Sequence, residues 1–295
     1  MKHGIIITAY KNLQHLLLMA DFFDDDFLLF IHLDKKMSYP ENELQQLLNH
    51  PRIAFVSRQY EVNWGGFNHL KSLLLLAEEA VKDPEVGYVH SISGGDYPIQ
   101  SADAFKKIMR EAEGKEFLDH WPMPAPFWKG GGFDRICYYN FYDQYNARTH
   151  RGYQMIDRLI RLQKALGIKR KLPAVFPAMH GGSTWWSLSR ACTEYLVSFT
   201  RNNKRVFNRF RYTFCSEEIY VHTVLLNSPF KDKVVKDNLR YIDWAKRDGN
   251  VPVVLDERDW EAIRGSEKLF ARKFEYPISA KLIEKINQHL SIPGK

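Results

Sequence analysis

The sequence predicts an α/β fold built on a mostly parallel central sheet, and three observations lead there. Strand-like apolar runs alternate with helix-like stretches over the first hundred residues. Those runs are continuously apolar, the pattern of strands covered on both faces by crossover helices. One of them, Tyr88–Ile92, breaks directly into Ser93-Gly94-Gly95-Asp96-Tyr97-Pro98-Ile99. That places a polar loop at the C-terminal edge of a strand, where open α/β sheets bind ligands.

The elements follow in order. Gly4–Ala9 reads as a strand and Leu13–Ala20 as a helix apolar nearly all round; Phe27–Leu33 is a second strand, running into Asp34. Ile53–Val56 is a short strand, Phe67–Val81 a Leu-rich helix and Tyr88–Ile92 the next strand. Ser101 has the chemistry to cap a helix through Met109, with Asp103 complementing the dipole in its first turn. Residues 121–150 change character. Their Trp121-Pro122-Met123-Pro124 start and Gly130-Gly131-Gly132 run read as loop with exposed aromatics, a substrate-facing insertion in which no apolar helix follows the glycines. A basic helix, Met155–Leu166, comes next, then Pro/Gly loops and a strand over Ser183–Leu188. Neither repeat nor linker interrupts the chain, so residues 1–295 read as one unit.

Composition narrows the class. With 295 residues and 45% hydrophobic content the chain can bury a sizeable core. No run approaches the ~18 apolar residues of a membrane span, and Met1-Lys2-His3 leads straight into the first strand with no signal-peptide pattern; the expectation is a cytoplasmic protein. The three cysteines, Cys137, Cys192 and Cys215, are odd in number and lack zinc spacing. The net charge of +7 suits an anionic ligand or a membrane surface.

Few residues offer chemistry. Asp24-Asp25-Asp26 formally contains Asp-x-Asp but precedes the second strand, at the end opposite the ligand edge, and reads as a solvated turn. The Asp96 loop has a single carboxylate, too few for a divalent metal, which usually takes several oxygen ligands. Glu217-Glu218 opens a helix that Ser216 would cap; the pair reads either as dipole-complementing acids or as the location of one general base. As adjacent helical positions, the two would point apart. Arg272 and Lys273, in Leu269–Phe274, read either as a solvated face or as cations for a phosphate. His32, His90 and His222 lack ligand spacing and read as partly buried histidines.

Taken together the segments resemble the core-2/I-branching β-1,6-N-acetylglucosaminyltransferase family, which also contains peptide O-xylosyltransferases. Leu29–Lys36 is similar to its IHVDKK segment, Trp64-Gly65-Gly66 to its WGG motif, and Ser93–Ile99 to its SGQDFPI loop. Gly182–Arg190 resembles GSxWWxLxR, and Leu269–Phe274 resembles LFARKF. Five such segments in the family's order cover nearly the whole chain.

The resemblance implies a glycosyltransferase A (Rossmann-like) fold with a C-terminal extension closing on the donor site. It implies a nucleotide-sugar half over 1–120, an acceptor half over 121–230 and a C-terminal segment over 231–295 that contributes a diphosphate-binding lysine. The implied activity is inverting, metal-independent transfer from a UDP-sugar, N-acetylglucosamine first and xylose as the alternative, to an acceptor glycan hydroxyl. Cys215-Ser216-Glu217-Glu218 matches the SPDE segment, which makes Glu218 the base. Asp34, Trp64, Gly65, Gly66, Asp96, Arg272 and Lys273 would hold the donor; Arg135, Trp185 and Glu217 would face the acceptor. The family's second diphosphate cation, an arginine in HPRTF, is missing from Asn250–Leu255, so Lys246, Arg247 or a residue elsewhere would have to compensate. The short insertion loops and few cysteines fit a bacterial version building a cell-surface or capsular glycan, with a lipid-linked acceptor as one option and no nucleic-acid partner. In the basic helix Leu159, Ile160 and Leu162 intermix with Arg158, Arg161 and Lys164, so one face reads either as packing on the sheet or as peripheral contact with anionic lipid at the inner membrane face. The rival reading is a non-catalytic basic binding protein, resting on Arg148, Arg151, Arg158, Arg161 and Lys169-Arg170-Lys171.

Overall fold

In the computed structural model, which describes residues 1–290, seven strands form one sheet in the order β3-β2-β1-β4-β7-β6-β8. These are β1 (Lys2–Ala9), β2 (Phe27–Leu33), β3 (Ile53–Ser57), β4 (Val86–Ser93), β6 (Glu116–Pro122), β7 (His180–Ser189) and β8 (Val234–Val235). A second sheet of three short strands joins β5 (Asp96–Pro98), β10 (Phe270–Arg272) and β9 (Arg240–Ile242), in that order. The first four strands pair in parallel, as continuous apolar runs require; β7 alone runs antiparallel to its neighbours β4 and β6. The mostly parallel α/β sheet expected from the sequence is present.

Alternate residues of β1 feed two apolar layers. Ile5 and Ile7 pack with Leu16, Phe105, Phe270 and Ile283 on one face. Ile6 packs with Leu70, Leu73, Val89, Trp186 and Ile219 on the other. The helix Leu13–Phe22 covers the first face, burying Leu13, Leu16 and Met19, and the helix Phe67–Ala80 covers the second. Ser101 caps the helix Ala102–Glu111 by accepting from the Ala104 N–H, as predicted.

Several expectations need correction. The 121–150 stretch begins inside β6, whose aromatic and proline residues disguise a strand, and the glycine run does lead into a helix, Phe133–Cys137. The basic helix starts earlier, at His150, capped by Thr149. Ser216 does not cap the helix Glu217–Leu226: its backbone is already helical and its buried Oγ has no partner. His32, His90 and His222 are fully buried rather than partly so. Asp24 and Asp26 form ion pairs with Lys106 at 2.8 and 2.9 Å, at the sheet end expected for them.

The C-terminal segment reaches the ligand edge through β10, which pairs antiparallel with β5 so that Arg272 lies opposite Asp96. This is the extension closing on the loop after β4.

Candidate active site

The first turn of the helix Glu217–Leu226 carries two carboxylates with different partners. Glu217 is buried and its Oε1 lies 3.1 Å from His69 Nδ1; the other His69 nitrogen lies 3.2 Å from Thr8 Oγ1, at the C-terminal end of β1. Burial alone would lower the His69 pKa, but the charge and hydrogen bond of Glu217 raise it above its usual value. Glu218 accepts from Arg135 Nη1 at 2.6 Å through Oε2, while its Oε1 has no protein partner among the described residues. About a quarter of the Glu218 side chain is exposed, at 27%. Desolvation, reinforced by the neighbouring Glu217 charge and opposed by Arg135, pushes its carboxyl up to about 7. A part-exposed carboxyl poised near neutrality is suited to accept a proton.

The expected divergence of the two carboxylates is not observed. Carboxylate oxygens of both, with Cys215 Sγ, lie within 4.8 Å of one another, a donor set with the spacing of a metal site. Arg135 faces one carboxylate and the His69 imidazole the other. Burial pushes the Cys215 thiol well above its ordinary range, away from the thiolate a metal prefers.

The Trp64-Gly65-Gly66 turn packs against the segment that leads into the helix Glu217–Leu226. The Gly65 carbonyl accepts from the Cys215 N–H at 2.9 Å, holding Cys215 at φ +48, a left-handed turn uncommon for a residue with a side chain. Gly65 itself has φ +79, and a Cβ there would meet the Phe214 ring at 2.4 Å; a Cβ on Gly66 would meet Asp143 Oδ1 at 2.3 Å. Only glycine lets the two segments approach this closely. Trp64 stays half exposed, edge-on to Phe214 at 5.2 Å.

Across the edge lies the loop after β4. Asp96 is fully buried and its Oδ2 accepts from Ser93 N–H at 2.7 Å and from Arg272 Nη1 at 3.1 Å. The Arg272 guanidinium stacks 4.1 Å over the Trp185 ring. Lys273 Nζ pairs with Glu275 at 2.5 Å, and Lys11 pairs with the same carboxylate at 3.0 Å. Asp34 Oδ1 accepts from the N–H groups of Lys36 and Val62, both at 3.1 Å, so this residue knits the loop after β2 to the segment before Trp64.

The suggested compensating cation is not Arg247, whose guanidinium grips Asp259 at 2.5 and 2.9 Å. Lys246 makes no ion pair among the described residues. Arg148, which the sequence did not single out for the site, stands over Tyr10 at 5.3 Å, just beyond β1. Burial alone would raise the Tyr10 phenol, yet the Arg148 hydrogen bond and the charges of Lys11 and Lys273 bring its pKa below the usual value. That shift reports a positive rim around Tyr10.

Arg135 is sandwiched over Trp128 at 3.8 Å and near Phe214 at 5.1 Å. A polar cleft of about 260 Å³ opens beside β6, lined by Asp119, Lys236, Asp237, Asn238, Lys268 and the exposed Trp244. Burial raises the Asp119 carboxyl above its ordinary value.

The family model described as Core-2/I-Branching enzyme matches residues 5–263. The chain is 26% identical over 229 residues to xylosyltransferase sqv-6 of Caenorhabditis briggsae, covering 75% of this chain and 25% of that protein. To xylosyltransferase 2 of Rattus norvegicus it is 25% identical over 309 residues, covering 98% of this chain and 33% of the relative. The chain thus spans about a quarter to a third of the length of the curated relatives it matches. Among solved structures, S. aureus TarS 1-349 aligns with a TM-score of 0.39 at 13% identity, covering 79% of this chain and 57% of that one. The same protein in complex with UDP aligns with a TM-score of 0.32 at 17% identity, over 42% and 36%.

Proposed function

The chain belongs to the Core-2/I-branching enzyme family, and from that premise we propose that it transfers a sugar from a UDP-sugar to a hydroxyl of an acceptor glycan, with inversion and without a divalent metal. The observation that carries this reading is the pairing of the part-exposed Glu218 carboxylate with Arg135 at the start of the helix Glu217–Leu226. Arg135 holds Oε2, which leaves Oε1 for an acceptor hydroxyl. The hydroxyl oxygen bonds to the anomeric carbon from the face opposite UDP, its proton passes to Glu218, and the bond to the diphosphate oxygen breaks. The departing diphosphate then needs positive charge, since electrostatic stabilisation of a developing anion contributes about 10²–10³ in rate.

Lys273 and Arg272 supply that charge in this reading, Asp96 fixing the direction of Arg272. Arg148 and Lys11, flanking Tyr10, stand in for the absent upstream arginine. Trp128, Arg135 and Trp244 offer the flat faces and polar edges that sugars require.

N-acetylglucosamine is the first donor reading. Xylose is the second, favoured by the curated relatives, which are named xylosyltransferases. The test is release of UDP from UDP-N-acetylglucosamine and from UDP-xylose with EDTA present, with the product anomer read by NMR. Turnover with inversion under EDTA supports the reading and identifies the donor; turnover only on adding Mn²⁺ or Mg²⁺ overturns metal independence. Absence of turnover with every donor and acceptor, while UDP still binds, returns the non-catalytic reading.

A further inference from the structure

The basic segment after the acceptor-side insertion keeps its charge and its apolar residues on the outside. Residues 148–175 hold eight of the 42 basic residues and one of the 35 acidic ones. The remaining 34 of each sign cancel, so this stretch accounts for the chain's whole net charge of +7. Seven of the nineteen exposed large apolar side chains among the described residues also fall here, between Tyr153 and Val175.

Helix geometry sorts them. In the helix His150–Ala165 only Gly152, Ile156 and Gln163 are buried. On the outer side Met155, Leu162 and Leu166 follow at i, i+7 and i+11, one stripe at a period of 3.6. Leu162 is 54% exposed and Leu166 64%. Arg151 and Arg158 flank the stripe, and Ile168, Lys169, Lys171 and Leu172 extend it. Arg161 is paired with Asp157, Lys164 with Asp134, and Arg170 is spent on backbone carbonyls. Arg151, Arg158, Lys169 and Lys171 make no ion pair among the described residues.

We propose that this face docks the protein on an anionic lipid bilayer, with the leucine stripe in the headgroup boundary and the four unpaired cations on lipid phosphates. Interleaved aliphatic and cationic residues on one helix face are what an interfacial helix needs, because apolar burial and attraction to anionic lipid act together. A polyanion such as nucleic acid would use the cations and leave the leucines in water. The surface does not depend on the donor chemistry, and its beginning, at Arg148 beside Tyr10, brings the bilayer to the rim of the proposed site.

The test is sedimentation of the full chain with phosphatidylcholine vesicles, with and without phosphatidylglycerol. Binding to the anionic vesicles alone is expected, weakening as salt shortens the Debye length from about 8 Å to about 3 Å. Each Lys or Arg near an anionic leaflet is worth roughly a factor of five, so Arg158→Gln, Lys169→Gln and Lys171→Gln together should lower partitioning about 100-fold. Leu162→Glu with Leu166→Glu, at exposed positions that leave the core intact, should lower it about tenfold or more at equal helix content by circular dichroism. No binding at low salt, equal binding to both vesicles, or binding indifferent to the leucine changes would overturn the proposal. So would a stable dimer that shields Leu162 and Leu166 from proteolysis or labelling.

Discussion

Replacing Glu218 with Gln keeps the shape and the hydrogen bond to Arg135 but removes the proton acceptor. General-base catalysis is worth about 10²–10⁴ in rate, so turnover should fall by that factor while UDP affinity holds. The pH dependence makes the test sharper. With the Glu218 carboxyl raised to about 7, the group is roughly one-tenth ionised at pH 6 and nine-tenths at pH 8. The base acts in its ionised form, so kcat/KM should climb about tenfold across that interval. The neighbours move the midpoint in opposite directions. Arg135 lowers the Glu218 pKa and Glu217 raises it; Arg135→Met should therefore shift the limb alkaline and Glu217→Gln should shift it acid. The assay is the initial rate of UDP release with donor and acceptor, profiled over pH for the four proteins, beside calorimetric UDP binding. A flat profile between pH 6 and pH 8, a Glu218→Gln enzyme that keeps most of its turnover, or two neighbour variants shifting the same way would refute the assignment.

Other outcomes are expected from the surrounding geometry. Lys273→Ala should weaken UDP about tenfold, ~1.4 kcal/mol by calorimetry, whereas Glu275→Gln, by freeing Lys273 and Lys11, should strengthen it. Gly65→Ala should cost about 2 kcal/mol in urea unfolding, since a Cβ would meet Phe214 in a left-handed backbone; kcat should drop further than UDP affinity as the base loop shifts. Asp96→Ala should destabilise by about 3 kcal/mol, because it leaves the largely buried Arg272 charge unpaired, and a melting temperature within error of the parent would contradict the burial argument.

The parallel half of the fold was legible because Gly4–Ala9, Phe27–Leu33 and Tyr88–Ile92 are mostly apolar on both faces, the pattern of a doubly covered strand, with Thr8, His32, His90 and Ser91 as the exceptions. Less was legible where side chains serve other ends. The helix Glu41–Leu48 buries only Leu47 and so has little apolar period to read. The strand β6 ends in aromatic residues and proline that resemble a loop. Glu218 and Lys273 stand in local motifs, but their settings are not legible there. Arg135 stands 83 positions from Glu218 and His69 further still from Glu217, so no window of sequence holds both partners. The Trp64-Gly65-Gly66 motif pointed to the cleft; that its glycines make room for Phe214 and Cys215 is a fact of packing, visible only once distant segments meet.

The pairing of β5 with β10 has a consequence for the order in which the chain is made. Asp96 waits 176 residues for Arg272, its buried counter-charge. A nascent chain can lay down β1 to β4 and their covering helices early, and Thr8, His15 and Ser93 can already bond the Gly94–Ile99 loop, yet the Asp96 carboxylate has no cation until translation has passed residue 272. A fragment released before that stretch would carry an Asp96 carboxylate bonded to Ser93 and facing no cation. Charge balance at this sheet edge therefore arrives late, with β10.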